Sequence, residues 1–165
     1  MLTNELIIDA FGRIKEVVHK SVEGLSTDDL TFRPTESANS IAWLVWHLTR
    51  IQDDHIADLA QDEQAWSKGW YQKFGLPFKE VDTGYGHNSN DVAAVKASTK
   101  LLLGYYDAVQ TNTVKYVRGL AKEDYQKVVD KRWDPPVTLA VRLISIVSDD
   151  MQHAGQAAYV RGLLK

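Results

Sequence analysis

The chain has 165 residues, 44% of them apolar and 25% charged, with a net charge of −3 and no cysteine. That length and balance predict one soluble domain, residues 1–165, large enough to bury a full core. The missing cysteines exclude disulfides, thiolate metal sites and a cysteine nucleophile, and without a Lys/Arg-rich run there is no basic footprint for nucleic acid.

The start, MLTNELIID, lacks the basic residues and apolar run of a signal peptide. No apolar window approaches the ~20 residues of a membrane span. A cytoplasmic location without membrane or nucleic-acid partners is expected.

A first helix is predicted over residues 3–24, where Ile7, Ala10, Phe11, Ile14, Val17 and Val18 recur on one face and Gly24 suits the end. His19 falls off this stripe and is expected in solvent. Ser26-Thr-Asp-Asp29 resembles a capping box for a short turn that stops at Arg33-Pro34.

The second helix should run from Asn39 or Ser40 to Asp62, through NSIAWLVWHLTRIQDDH. With His47 as the origin of the helical wheel, Trp43, Leu44 and Ile51 lie within about 60° and Asp54 within about 20°. His47 is therefore expected to point into the core, with Trp43 and Trp46 as a dry wall beside it. His55 lies about 80° away, at the surface or at a subunit contact.

Residues 63–90 lose the helical period and carry six large aromatics, Trp66, Trp70, Tyr71, Phe74, Phe78 and Tyr85. A loop of that length and composition reads as a lid or binding loop over one end of the bundle. His87, in TGYGH, is a candidate substrate contact or extra metal ligand. A third helix is expected from Ser89 or Asn90 to Leu120, with Gly104 tolerated through close helix packing. Residues 121–137 form a second connection, in which Trp133-Asp-Pro-Pro136 blocks a helix. Thr138 is the expected N-cap of a fourth helix reaching Leu164. Four long helices without a strand pattern predict an all-α four-helix bundle with a long aromatic-rich loop between helices two and three.

The last helix carries SDDMQHAGQAAYVRG. Asp149 and His153 are four residues apart, so they project roughly 40° apart and about 6 Å along the axis, and Asp150 is nearly as close. Leu139, Ile146, Ala157, Val160 and Leu164 lie within about 40° of His153, which places it inward like His47. Two imidazoles and a carboxylate leave coordination positions open for water or substrate, as catalytic zinc and facial-triad iron sites do. Ser148 with His153 does not make a nucleophilic triad, because there is no G-x-S-x-G elbow or strand to carry it. The Glu-x-x-His pairs of a di-iron bundle are also missing.

NSIAWLVWHL in helix two and DDMQHAGQAAYVRG in helix four resemble the DinB/YfiT-like superfamily, and WDPPVT with TGYGH resembles its actinobacterial branch, related to mycothiol-dependent enzymes. The resemblance runs from about Leu25 to the C-terminus. It implies a metal-binding, often dimeric bundle whose ligands are one histidine of helix two and a His-x-x-x-His pair of helix four. It also implies transfer or isomerisation of small electrophiles with a low-molecular-weight thiol, mycothiol or bacillithiol. Carried over, the metal ligands are His47, Asp149 and His153, with zinc first and nickel or iron as alternatives. Asp149 stands where the pattern has its first histidine, which leaves Asp150 as a competing ligand. Trp43, Arg50, Asp54, His87, Asp150 and Arg161 are the candidates for substrate contact, the two arginines for an anionic group. The alternative reading is a non-catalytic dimeric metal-binding or stress-response bundle.

Overall fold

Side-chain caps decide where the helices of this computed structural model begin; it describes residues 3–164. Ser26 and Asp29 exchange side-chain and backbone hydrogen bonds as a capping box ahead of the short α2 (Thr27–Thr31), which follows α1 (Thr3–Val22). Ser40 Oγ accepts from the Trp43 amide at 3.1 Å and opens α3 (Ile41–Ala60). Ser98 caps α6 (Thr99–Arg118), and Thr138 caps α7 (Leu139–Gly162). These four long helices, α1, α3, α6 and α7, make the expected all-α bundle.

Contacts between helices fix their directions. Thr99 at the start of α6 donates to the carbonyls of Val22 and Leu25 at the end of α1, and Lys15 meets Asp107 at 2.8 Å, so α1 and α6 are antiparallel. Arg161 near the end of α7 donates to the Glu23 carbonyl, which sets α7 parallel to α1. The last turns of α3 and α6 share one cavity, lined by Ala57, Ala60, Tyr116 and Gly119, so these two are also parallel. The order is up, down, down, up, with α1 and α3 each packed on both α6 and α7. Phe11, Ile14, Val18, Leu44, Leu48, Leu102, Tyr106, Leu143 and Ile146 fill the interior. The first half of α3, Ile41–Arg50, is buried at every residue, because the connection that follows it folds back over its outer side. No described helix is long and apolar enough to cross a membrane.

That connection holds a π-helical turn (Trp66–Trp70), α4 (Tyr71–Phe74) and α5 (Ser89–Ala94). Two buried residues of α3 tie it down. Asp53 accepts from the Ala65 and Trp66 amides at 3.0 and 2.8 Å and from Tyr105 at 2.8 Å. Arg50 donates to the carbonyls of Glu80 and Asp82 and to Gln64 Oε1.

Four expectations are corrected. The third helix is not continuous from residue 89, because α5 stops and Val95 is extended before Ser98 caps α6. Val95 and Ala97 are buried while Lys96 and Ser98 are exposed, a two-residue alternation that a helix cannot supply. Gly104 does not serve close helix packing; a Cβ there would stand 2.8 Å from Cη2 of Trp70, so it admits an indole from the loop. The connection after α6 contains a short antiparallel ladder of β1 (Val128–Asp130) with β2 (Val137–Thr138), too short to show a period in sequence. His19 is not free in solvent either, since its ring meets Glu23 at 3.1 Å and Asp107 at 2.9 Å.

Asp53→Ala would leave two buried amides without their acceptor and the buried Arg50 without the carboxylate 3.9 Å away, at a cost of about 3–5 kcal/mol; urea unfolding should show it, with earlier proteolysis within residues 63–88. Asp130 accepts from Arg132 and Arg142, and these bonds hold its carboxyl far below the ordinary 3.8. A carboxyl depressed on folding contributes its full stability above that ordinary value and loses it as pH falls below. The melting temperature should therefore drop more steeply below about pH 4 in the wild type than in Asp130→Asn.

Candidate metal centre

His47 lies in the second turn of α3 and His153 past the middle of α7, and the bundle brings their rings to 4.9 Å between centroids. Asp149, one turn before His153, completes the group. One ligand atom from each of the three lies within 4.8 Å of the others, and no other set of three or more such residues converges this way among the described residues.

Each imidazole is oriented by its other nitrogen. His47 Nδ1 donates to the Thr83 carbonyl at 2.6 Å, which puts the free lone pair on Nε2. His153 Nδ1 bonds Gln156 Oε1 at 3.0 Å, and its Nε2 faces Asp149 Oδ1 at 3.6 Å. Burial is the main influence on His47 and lowers its pKa, assisted by the neighbouring His153, so the ring is neutral at pH 7 and available as a ligand. Trp43 stacks on His47 at 4.6 Å and meets His153 edge-on at 6.3 Å. Asp149 Oδ2 is buried without any hydrogen-bond partner. An orphaned carboxylate oxygen beside two Nε2 lone pairs is the donor set a divalent cation completes, so the residues present fit a metal.

The loop supplies the rest of the wall. Gly84 is buried at φ +97°, and a Cβ there would come within 2.7 Å of His47 Nδ1 and 3.0 Å of Trp46. His87 stacks on Trp46 at 5.7 Å, and its Nδ1 accepts from the Trp43 indole at 3.1 Å. Its remaining nitrogen is therefore a donor, not a ligand lone pair.

The structure separates the remaining candidates. Asp150 does not compete for the metal. One residue is a 100° step, which turns it to the opposite side, fully buried, with neither oxygen bonded. Burial and the adjacent Asp149 push its carboxyl well above the ordinary range, so it is a neutral acid near Tyr106. Arg50 has no solvent exposure, and its donors hold the loop rather than facing a ligand. Arg161 is spent on the end of α1. Asp54 binds Gln64 at 2.8 Å and lines a polar basin further along α3, together with the half-buried His55. Trp43 and His87 alone stand beside the cluster. Thr83, Gly84 and Gln156 were not foreseen, because two act through backbone and the third only through its partner ring.

A family profile described as mycothiol-S-transferase matches residues 7–165. A solved structure, the conserved protein of locus from Enterococcus faecalis, is 31% identical, covers 99% of this chain and 97% of its own, and superposes with a TM-score of 0.92. No curated protein matches.

Gly84→Ala should strain the turn by about 1–3 kcal/mol and displace the His47 ring. Zinc affinity, read by competition with a chromogenic chelator, should fall by about 10–100-fold, the usual effect of losing a partner that orients a ligand.

Proposed function

Because the chain belongs to the mycothiol-S-transferase family, within the DinB/YfiT-like superfamily, we propose that it joins a low-molecular-weight thiol of the mycothiol type to small electrophilic substrates. His47, Asp149 and His153 would hold a divalent metal for this reaction. The observation that carries the reading is the convergence of these three side chains with Asp149 Oδ2 left unpartnered. Two imidazoles and one carboxylate suit zinc first, with nickel or ferrous iron compatible.

A bound metal supplies a centre at which a thiol ionises near neutral pH. The chain's own residues do the positioning. Thr83 and Gln156 each engage an Nδ1, which leaves both Nε2 atoms free for the ion. The Trp43 indole lies flat against His47 and excludes water from its inner side. His87, held by Trp43, keeps its Nε2–H available to a substrate acceptor. Asp149, more exposed than the histidines, marks the open side. The expected homodimer belongs to the same reading. An exposed, charge-free stripe of Val141, Ile144 and Met151 on α7 supports it.

Elemental analysis of protein purified without added metal should find about one divalent ion per chain, lost in His47→Ala and His153→Ala. Asp149→Ala should weaken affinity by at least about 10-fold, while Asp149→His should retain the ion. Mycothiol consumption with a small alkylating electrophile should require the ion. Full occupancy in both histidine variants would defeat the site; an ion that stabilises the fold without any thiol turnover would favour the non-catalytic reading.

A further inference from the structure

The seam between α3 and α7 continues past the cluster in both directions, and its two ends differ in chemistry. Asp54 follows His47 by seven residues, and Arg142 precedes Asp149 by seven. The two helices are antiparallel, so both offsets lead the same way, two turns or about 10 Å. There the residues meet in a basin of about 350 Å³ with His55, Asp58, Asp130 and Arg132. Its charges balance, with Asp54, Asp58 and Asp130 set against Lys131, Arg132 and Arg142. Asp130 accepts from Arg132 at 2.8 Å and Arg142 at 2.9 Å, and Asp54 accepts from Gln64. The surface is dense in donors and acceptors yet has little net field. In the other direction, Gln152 and Gln156 flank His153 and open onto a groove of about 600 Å³ with a mainly apolar lining that includes Leu44, Tyr159 and Val160. Gln156 belongs both to that groove and to the His153 hydrogen bond.

We propose that the two co-substrates enter the seam from opposite ends, the hydroxyl-rich body of the thiol in the polar basin and the carbon skeleton of the electrophile in the apolar groove. This rests on the thiol-transfer reading above. A charge-balanced basin offers hydrogen bonds in both senses and no excess of cations, which suits an uncharged sugar-type thiol better than one bearing carboxylates. A cysteinyl arm of ordinary bond lengths, about 6 Å, together with part of a sugar ring bridges the two turns from basin to cluster. At the cluster the thiol gives up its proton to solvent water, and the sulfur lone pair forms the S–C bond as the bond from that carbon to its leaving group breaks. The electron pair displaced from carbon leaves with the departing group.

The probe is S-methyl mycothiol, which has no thiol to ionise, titrated by calorimetry into the zinc-loaded protein. Wild type should bind it, and Arg142→Gln and Asp58→Trp should each weaken it by about 10-fold, the scale of one lost charge-assisted contact, with zinc content unchanged. Asp58 is exposed, so the tryptophan fills the basin without burdening the fold. Gly155 faces the groove with open space where a Cβ would stand. Gly155→Phe should raise KM for monobromobimane about 10-fold and leave probe affinity within about two-fold. Wild-type affinity in Asp58→Trp, or a Gly155→Phe that weakens the probe and spares monobromobimane, would overturn the assignment of the two ends. A wild type that neither binds the probe nor consumes mycothiol would instead remove the thiol-transfer reading on which the assignment stands.

Discussion

Arg50 carries a charge in the middle of α3 with no solvent exposure, and a buried guanidinium must find all its partners within the protein. It finds them mostly outside its own helix, at the carbonyls of Glu80 and Asp82, at Gln64 and at Tyr105, with Trp66 under its plane at 4.8 Å. Asp53, one turn on, gathers the amides at the start of the same connection. These two residues dictate the path of a segment with little regular structure. Thr83 directly follows Asp82 and reaches His47, one turn before Arg50 on α3. The tautomer of a candidate metal ligand is thus set by a clamp that touches no substrate.

The two adjacent aspartates of α7 show how strongly a helix divides labour. Asp149 points into the seam and shares the space between two imidazoles. Asp150 points into the core, where a carboxylate is expensive and the neutral acid is favoured. Two residues identical in chemistry meet different surroundings because of a 100° rotation. The neighbour of a ligand is therefore a poor substitute for it, however close in sequence.

Much of this was legible before any coordinates. Ser26, Ser40 and Thr138 announce helix starts, because their side chains have one obvious use there. The inward direction of His47 and His153 follows from apolar neighbours at helical spacing. What spacing could not reveal was that the two helices face each other; that depends on which pairs pack. The break before α6 was hidden because Val92, Val95 and Leu102 keep a plausible helical period across it, although Ser98 carried the capping signal. Arg50 read as a substrate contact because sequence shows its charge but not its burial. Gly84 and Thr83 could not be singled out, since a glycine in a turn and a carbonyl carry no side-chain signature.

Parallel neighbours α3 and α6 have a consequence for the chain between them. Each is 20 residues long, about 30 Å, and a tight turn can only join antiparallel helices. The polypeptide must travel back the full height of the bundle before α6 can begin. Residues 61–98 are that return journey; about nine extended residues would cover the height, and the surplus folds into the π-helical turn, α4 and α5. A bundle wired in this order comes with the material for a wall over its own seam.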